Sequence, residues 1–408
     1  IYSAKTPGLQ KKVEDIFEND KKNFPPHNKK DKKDPQAGIA VLDYTGRLVA
    51  TVGGRGEKTA NRVYNRSTDA TRQPGSAMKP IAVYAPAIKD GLVNYSTIVQ
   101  DKKITLRNGD KWPNNYQNNR YGSMPLEEAL QRSLNTVPAQ IMEMLTPQRS
   151  FDFVTKNLHL TTLVKSARVK NQISTDIDFA PMTLGGLTYG VKCIEMAAAY
   201  QVFGSGGVYN KPYTFYRVER NGEVLLKNEP ANEKVLSEDA SYVMNRLLQR
   251  VIVGPFGTGK GQKIGDFETF GKTGTTNDDK DVYFVGGTPY YVSACWFGYD
   301  NNQQIRIRTY AKSLWKKTMT ALHSGLQDKT FDKKGSTVEA KYCYSTGKLA
   351  TAGCPKTSVG VYLPENVPGY CTAHGGGEAP TSPTTDSTTG TATTSSAASG
   401  TTVTVPAA

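Results

Sequence analysis

Three short polar motifs occur in one order along this chain of 408 residues and limit what it can fold into. They are S-x-x-K at residues 76–79, S-x-N at residues 133–135 and K-T-G at residues 272–274. Each motif alone carries little information, because a chain of this length contains such triplets by chance. Together, in this order, they indicate a fold that brings a serine, two lysines and a glycine-containing strand to one cleft.

The first motif offers a nucleophile and a base. Ser76 and Lys79 are three positions apart, so they share one face of a helix. A serine hydroxyl needs an adjacent base, and a lysine can be that base if burial or a neighbouring cation, here Lys272, lowers its pKa. At a helix start, a backbone N–H near Ser76 can donate to a developing oxyanion. The alternative is a helix cap followed by a surface lysine.

The second motif follows an amphipathic helix predicted over residues 125–133. Pro138 comes soon afterwards, which favours a turn in which Ser133 and Asn135 face one cleft. In that arrangement Ser133 relays a proton and Asn135 holds a substrate amide. The alternative is an ordinary polar helix C-terminus.

The third motif is predicted to lie on a strand over residues 270–275. Because Gly274 has no side chain, another backbone can approach, and a peptide substrate can add as an extra strand. Lys272 and the hydroxyls of Thr273 and Thr275 can bind a carboxylate, and the Thr275 N–H is a second candidate oxyanion donor. The alternative is a strand end and a turn.

The remaining pattern predicts an α+β fold with an antiparallel sheet. Strands are expected at residues 37–43, 48–52, 213–220, 223–227, 270–275, 281–286, 291–300 and 305–310. Helices are expected at residues 9–17, 76–92, 125–133, 191–203 and 313–326, and after the N-cap Ser237.

Charge and motif content argue against several other functions. The net charge of +14 favours anionic partners. No recognised nucleic-acid-binding module accompanies the basic run at residues 21–33, so we expect no nucleic-acid partner. Residues 254–260 have P-loop spacing but lack the Ser or Thr that follows the lysine, so no nucleotide cofactor is expected. The four histidines lack a partner pattern, which argues against a Ser-His-Asp triad.

The five cysteines fall into two groups. Cys193 and Cys295 lie in apolar contexts and are predicted to be core residues. Cys343, Cys354 and Cys371 permit one disulfide and one free thiol, or, with His374, a Cys3His zinc site. The spacing lacks a short paired-knuckle signature, so the sequence favours the disulfide and no metal or other cofactor is expected.

With these motifs in place, the chain resembles the transpeptidase domain of class A, bifunctional penicillin-binding proteins. The likeness extends beyond the motifs, over residues 72–80, 112–116, 126–135, 185–200 and 281–286, and covers roughly residues 36–328. It implies a penicillin-binding-protein/β-lactamase-like fold, with a five-stranded antiparallel sheet flanked by helices.

The resemblance also implies a peptidoglycan D,D-transpeptidase that crosslinks stem peptides through a serine acyl-enzyme. The expected catalytic residues are Ser76, Lys79, Ser133, Asn135 and Lys272, and the expected substrate-binding residues are Thr273, Gly274 and Thr275. The expected partners are a D-Ala-D-Ala donor stem, an amine acceptor, and β-lactam antibiotics that acylate Ser76.

Four parts are expected along the chain. Residues 1–35 are a basic linker, 36–328 the transpeptidase domain, 329–377 a small Cys-containing extension, and 378–408 a disordered Ser/Thr-rich tail. The sequence opens at Ile1, without a signal peptide or a bilayer-spanning segment. The resemblance implies a membrane anchor and a glycosyltransferase domain before the linker, and a place on the extracytoplasmic face of the bacterial membrane.

Two other functions stay open on the same scaffold. One is a serine hydrolase, either a carboxypeptidase or a β-lactamase; the other is a non-catalytic β-lactam sensor or wall-binding protein. The middle motif is S-L-N rather than S-D-N, which fits transpeptidases better than class A β-lactamases. No glutamate can be assigned to the deacylating role of those β-lactamases, since Glu229 is a weak candidate expected at the surface.

Overall fold

The computed structural model describes residues 1–27, 34–333 and 335–375. The tail predicted to be disordered, residues 378–408, lies outside the described residues, as do the lysines at residues 29–33. Within the described ranges, the structure contains no helix long and apolar enough to span a bilayer.

A five-stranded antiparallel sheet forms the centre of the fold. Its strands are β1 (Gln36–Leu42), β2 (Leu48–Val52), β3 (Phe270–Thr275), β4 (Asp281–Gly287) and β5 (Val292–Gly298). Their order across the sheet is β3-β4-β5-β1-β2, so the late meander pairs with the early hairpin through β5 and β1. The strand order leaves β3, which carries the K-T-G motif, at one edge. The predicted fold class is confirmed.

Alternate residues of the sheet enter two separate hydrophobic cores, as a period of two requires. One face, called the front face here, contributes Ala40, Leu42, Tyr283, Val285 and Trp296 to the larger core. The opposite face, called the back face, contributes Ile39, Val41, Val282, Phe284 and Phe297 to the smaller one. Because both faces are covered, the central strands are apolar at nearly every position.

Six helices provide most of the cover. They are α1 (Pro7–Glu18), α2 (Leu126–Gln131), α3 (Thr136–Leu145), α4 (Cys193–Gln201), α5 (Glu238–Val253) and α6 (Tyr310–His323). Helices α2 to α5 bury most of their apolar residues in the front core, although Ile252 of α5 lies in the back core. Helices α1 and α6 pack on the back face. Ser237 caps α5 as predicted, since its side chain accepts a hydrogen bond from the Ala240 N–H at 3.0 Å.

Shorter elements connect these layers. The helical segments are Asp20–Asn23, Gly75–Met78, Pro80–Tyr84, Ala85–Lys89, Tyr116–Asn118, Pro147–Asp152, Phe153–Asn157, Phe179–Leu184 and Pro364–Asn366. The paired strands are Ile98–Gln100 with Ser123–Pro125, Ile104–Thr105 with Lys111–Trp112, Ala167–Val169 with Gln172–Ser174, Val208–Tyr209 with Glu233–Lys234, and Tyr2–Ser3 with the hairpin Phe215–Arg220 and Glu223–Lys227.

The strand expected at residues 305–310 does not form, and that prediction is wrong. Ile305 is buried in the back core, but the following residues form turns that lead directly into α6. Arg308 pairs with Asp279, with 2.6 Å between Nη2 and Oδ2. The alternating apolar and polar residues at 305–308 therefore belong to a loop that is anchored by the buried side chain of Ile305.

The segment expected to be a basic linker is packed against the domain over residues 7–24. Val13, Phe17 and Phe24 are buried against the back face. Gln10 also pairs with the edge strand β2: its amide nitrogen donates to the Thr51 carbonyl at 2.8 Å, and its amide oxygen accepts from the Thr51 N–H at 2.9 Å. Residues 7–24 thus form part of the domain and cover the outer edge of the sheet.

Residues 335–375, called the C-terminal module here, contain one hairpin of their own, β6 (Val338–Cys343) and β7 (Thr357–Tyr362). Tyr342, Tyr362 and Leu363 add to the front core. The module also reaches α2, because the Tyr344 hydroxyl donates to a carboxylate oxygen of Glu128.

Candidate active site

The nucleophile candidate lies in a tight helical turn beneath an open cleft. Ser76 is in the 3₁₀ turn Gly75–Met78, and the Lys79 N–H donates back to the Ser76 carbonyl. In 3₁₀ geometry, side chains three positions apart nearly eclipse each other, which aligns Ser76 with Lys79 more closely than an α-helix would. Ser76 is half-buried, whereas Lys79 is completely buried.

This turn is held in place by close backbone packing. Gly75 has a φ of +53°, in the left-handed region, and a Cβ there would overlap the backbone of Thr275. From the other side, the Tyr200 hydroxyl of α4 donates to the Ala77 carbonyl at 2.6 Å. The nucleophile turn is therefore fixed against the K-T-G strand before any ligand arrives.

The S-x-N motif forms the turn between α2 and α3. Ser133 has a φ of +57°, an uncommon conformation for a serine. Such strained residues cluster at functional sites and cost on the order of 1–3 kcal/mol. Asn135 follows as the residue immediately before α3. The predicted turn is confirmed.

Lys79 donates three hydrogen bonds into this turn. Its Nζ contacts the carbonyl oxygens of Ser133 and Leu134, each at 2.9 Å, and the Asn135 Oδ1 at 2.6 Å. Burial is the larger cause, and the positive charge of Lys272 the smaller one, that holds the pKa of Lys79 well below its ordinary value. The oxygen acceptors favour the ammonium form while burial favours the amine, which suits a group that takes up and returns a proton.

Lys272 approaches the same turn from the K-T-G strand. Its Nζ donates to the Ser133 Oγ at 2.7 Å and to the Thr273 carbonyl at 3.1 Å. The side chain is fully buried, and burial lowers the pKa of Lys272 to about 7. Ser133 is thus contacted by both lysines: Lys79 binds its carbonyl oxygen and Lys272 binds its hydroxyl.

Asn135 is fixed by the loop that precedes α2. Its Nδ2 donates to the Asn114 carbonyl at 2.8 Å, and its backbone N–H donates to the Asn115 Oδ1 at 2.8 Å. Asn135 therefore uses both ends of its side-chain amide, one toward Lys79 and one toward the loop.

The strand prediction for the third motif is confirmed, but the expected surroundings of Gly274 are wrong. A Cβ at Gly274 would overlap the Pro74 carbonyl and would lie 3.0 Å from the side chain of Ala77. Gly274 is thus needed for the contact between β3 and the nucleophile turn, and its missing side chain does not open space for substrate. Thr273 and Thr275 are half-buried and line the cleft instead.

The cleft has a volume of about 760 Å³ and is lined by Ser76, Ser133, Asn135, Thr273 and Thr275, five of the eight predicted site residues. Volume alone does not distinguish it, because a cavity of about 750 Å³ lies between α1 and β2. What distinguishes the cleft is that all three motifs meet there.

Several residues of the cleft were not predicted from the sequence. Thr258 belongs to the segment with P-loop spacing, yet it lies beside the K-T-G strand, with 2.8 Å between its hydroxyl oxygen and that of Thr273. The basic residues Arg132, Arg308 and Lys312 line the cleft. Arg308 also lies over the ring of Tyr116, 4.9 Å from its centroid, and so joins the two walls. No local sequence signal marks these positions, because separate segments bring them together.

Among the described residues, no glutamate lines the cleft. Glu229 is exposed and pairs with Lys227, with 2.5 Å between Oε1 and Nζ, as its predicted surface position requires. Glu127 and Glu128 are buried on α2, but they contact Arg250 and Arg132 and do not line the cleft. The acidic side chain that does line it, Asp279, is paired with Arg308.

The cysteines differ in part from the prediction. Cys193 and Cys295 are buried core residues, as expected. The disulfide favoured from the sequence is absent, since all five cysteines lie in the described residues and are free. Cys343, Cys354, Cys371 and His374 instead gather their donor atoms within 4.8 Å of one another.

Comparison with known proteins gives consistent matches. A family model described as the penicillin binding protein transpeptidase domain matches residues 37–330. Penicillin-binding protein 1A of Clostridium tetani is 33% identical over 366 residues, which cover 84% of this chain and 45% of that protein. The chain spans about half the length, or less, of the curated relatives it matches.

Solved structures agree in fold. Penicillin-binding protein 1A of Haemophilus influenzae has a TM-score of 0.68 at 22% identity, over 82% of this chain and 54% of that chain. The PonA1 protein of Mycobacterium tuberculosis, solved in complex with penicillin V, has a TM-score of 0.67 at 21% identity, over 81% of this chain and 88% of that chain.

Proposed function

Because this chain belongs to the penicillin-binding protein transpeptidase family, we propose that it crosslinks peptidoglycan stem peptides through an acyl-enzyme on Ser76. The donor is a stem peptide that ends in D-Ala-D-Ala, and the acceptor is an amine of a neighbouring stem. β-Lactams acylate the same serine and leave a long-lived adduct.

One observation carries the proposal: Ser133 lies between two buried lysines at the floor of the cleft that Ser76 lines. Lys79 Nζ contacts its carbonyl at 2.9 Å, and Lys272 Nζ contacts its hydroxyl at 2.7 Å. Two cations at one buried turn disfavour each other's protonation, so at least one is poised to act as a base near neutral pH.

Acylation requires one proton transfer in each direction. Lys79 takes the hydroxyl proton as Ser76 Oγ attacks the carbonyl between the two D-alanines, and the N–H groups of Ser76 and Thr275 stabilise the oxyanion. The C–N bond then breaks, and the terminal D-alanine leaves with a proton relayed through Ser133. The acceptor amine next attacks the ester carbonyl and loses a proton to Lys79. The C–O bond to Ser76 then breaks, the new amide forms the crosslink, and Lys79 returns the proton to Ser76 Oγ.

The K-T-G strand and the basic residues of the cleft recognise the donor. Lys272, Thr273 and Thr275 bind the terminal carboxylate, which a penicillin also carries. Arg308 and Lys312, at the rim, add positive potential that attracts anionic wall fragments. The PonA1 protein of Mycobacterium tuberculosis, which shares this fold and was solved in complex with penicillin V, supports penicillin as a ligand.

Absence of a glutamate from the described cleft argues against the main rival, a β-lactamase. A rapid hydrolase needs a base that activates water after acylation, and Asp279, already paired with Arg308, is poorly available for that role. Water therefore attacks the ester slowly, and an amine acceptor competes well.

We further propose that the longer protein is membrane-anchored, carries a glycosyltransferase domain and acts on the extracytoplasmic face. The support is the match to penicillin-binding proteins 1A, of whose length this chain spans less than half.

A donor and acceptor assay tests the function. The chain is incubated with a peptide ending in D-Ala-D-Ala, with and without an amine acceptor, and products are identified by mass spectrometry. We expect equal amounts of released D-alanine and crosslinked peptide, and neither with Ser76→Ala. D-alanine release into water alone would indicate a carboxypeptidase, and penicillin acylation without either product would indicate a sensor.

A further inference from the structure

The C-terminal module holds three cysteines and one histidine that no step of the proposed reaction uses. We propose that Cys343, Cys354, Cys371 and His374 bind one structural zinc ion. Their donor atoms lie within 4.8 Å of one another. The proposal rests on this cluster and is independent of the acyl-transfer function.

The spacing of the donors suits a tetrahedral metal site. His374 Nδ1 lies 3.3 Å from the Cys343 sulfur and 3.2 Å from the Cys371 sulfur. Ligand bonds of about 2.0–2.3 Å around a tetrahedral zinc place neighbouring donors about 3.3–3.8 Å apart. Three thiolates and one imidazole are soft ligands that select zinc over magnesium or calcium.

The backbone around the cluster fixes the ligands from three separate segments. Cys343 ends β6, and its N–H donates to the Lys348 carbonyl at 2.7 Å. The Cys371 N–H donates to the Leu349 carbonyl at 2.8 Å, which ties the last segment to the same turn. Cys354 lies in the loop between β6 and β7, where the Thr351 N–H donates to its sulfur at 3.3 Å. Three segments converge here without a covalent link, as in structural zinc sites.

Burial and ligand number indicate a structural role. Cys343 and Cys371 are buried, and Cys354 and His374 are half-buried. Four protein ligands leave no open position for a water or a substrate, in contrast to catalytic zinc. The module has a single hairpin, and so small a unit gains much of its stability from a bound metal ion.

The site also explains how the module is held against the domain. Tyr342 and Tyr344, which flank the ligand Cys343, donate from their hydroxyls to Glu127 and Glu128 of α2. Ser96 adds a second attachment, because its hydroxyl donates to the Gly347 carbonyl at 2.6 Å. Zinc at Cys343 keeps the module folded at the place where it docks.

The test measures metal in the full chain, purified with a reductant and without a polyhistidine tag. We expect about one zinc ion per chain after dialysis. Cys354→Ser and His374→Ala should each retain less than about a tenth of that zinc, whereas the matched control Cys193→Ser, a core cysteine outside the cluster, should retain it. His374→Cys should keep the metal.

A second measurement, cobalt substitution, is made on the wild-type chain. Its result therefore does not depend on whether a variant folds. Co²⁺ should give thiolate charge-transfer absorption and the visible bands of a tetrahedral site, and His374→Cys should shift those bands. Wild-type protein that holds no zinc and gives no thiolate–cobalt absorption overturns the proposal. A disulfide between any two of the three cysteines in freshly isolated protein, found by peptide mass mapping, overturns it as well.

Discussion

The two faces of the central sheet are built by opposite rules. The back face is apolar and regular, with α1 and α6 packed over alternating strand residues. The front face contains the candidate site, where two lysines are buried and Ser133 adopts a left-handed conformation. Buried charges and strained backbone lower stability. The front face therefore gives up some stability for chemistry, whereas the back face serves packing alone.

If this division is correct, changes at the front should remove activity with little loss of stability, and changes at the back should do the opposite.

Lys79→Ala should reduce the rate of penicillin acylation by at least about 10³-fold, because a nucleophile and its base act as one unit. The free energy of unfolding should fall less than for the back-core variant below, since removal of the desolvation cost of the buried amine partly offsets the cavity and the three unpaired acceptors that Ala leaves. Lys89→Ala is the matched control, an exposed lysine at the end of the same helical run. Acylation rates by stopped flow and urea melts measure both quantities; normal acylation by Lys79→Ala at neutral pH would remove Lys79 as the base.

Phe17→Ala should lower the free energy of unfolding by about 3–5 kcal/mol, because it leaves a cavity in the back core. Acylation at a temperature where the variant is folded should match wild type. Lys12→Ala, an exposed change on the same helix, should have almost no effect. Denaturant melts of both variants provide the measurement. A loss below about 1 kcal/mol for Phe17→Ala would mean that residues 7–24 do not pack against the domain and serve only as the linker expected from the sequence.

Lys272→Met should abolish most activity yet stabilise the chain in a pH-dependent way. The pKa of Lys272 is about 7 in the fold and 10.5 ordinarily, so between these values the unfolded state binds more protons. Wild-type stability therefore rises with pH across that window, by up to about 1.4 kcal/mol per pH unit, and the variant lacks this rise.

The free energy of unfolding of Lys272→Met should thus exceed that of wild type by the largest amount below pH 7. This difference should shrink toward pH 10. Paired urea melts at several pH values measure it. A constant difference across the window would mean that Lys272 is charged to the same extent in both states.

Thr273→Ala should weaken acylation by ligands with a carboxylate by about 1–3 kcal/mol, and uncharged analogues much less. Thr276 does not serve as a neutral control, because its hydroxyl accepts hydrogen bonds from the N–H groups of Lys280 and Asp281. Thr320, exposed on α6, is the better one. The measurement is the acylation rate with each ligand type. An equal loss of rate with the two ligands would show that Thr273 does not contact the carboxylate.

The same division explains what could be predicted from the sequence. The central strands were predictable because a short apolar run that ends at a turn is a local signal, as in residues 37–43 before the turn at residues 44–47. The motif convergence was predictable because S-x-x-K, S-x-N and K-T-G have known spacing and order.

Features that depend on long-range placement were missed or misjudged. Gly274 was expected to face substrate, but its close neighbour is Pro74, 200 residues away along the chain. Thr258 reaches the cleft only because the segment after α5 packs beside β3. The Cys343 and His374 cluster needed the fold of the module to choose between a disulfide and a metal.

The most direct test of the central account is the site of covalent attachment. The chain is treated with penicillin, its intact mass is measured, and the modified peptide is sequenced by mass spectrometry. The account predicts one adduct per chain, on Ser76, that persists for many minutes, and no adduct on Ser76→Ala protein with an unchanged melting temperature. An adduct on Ser133 or another serine, or full labelling of Ser76→Ala, would contradict it.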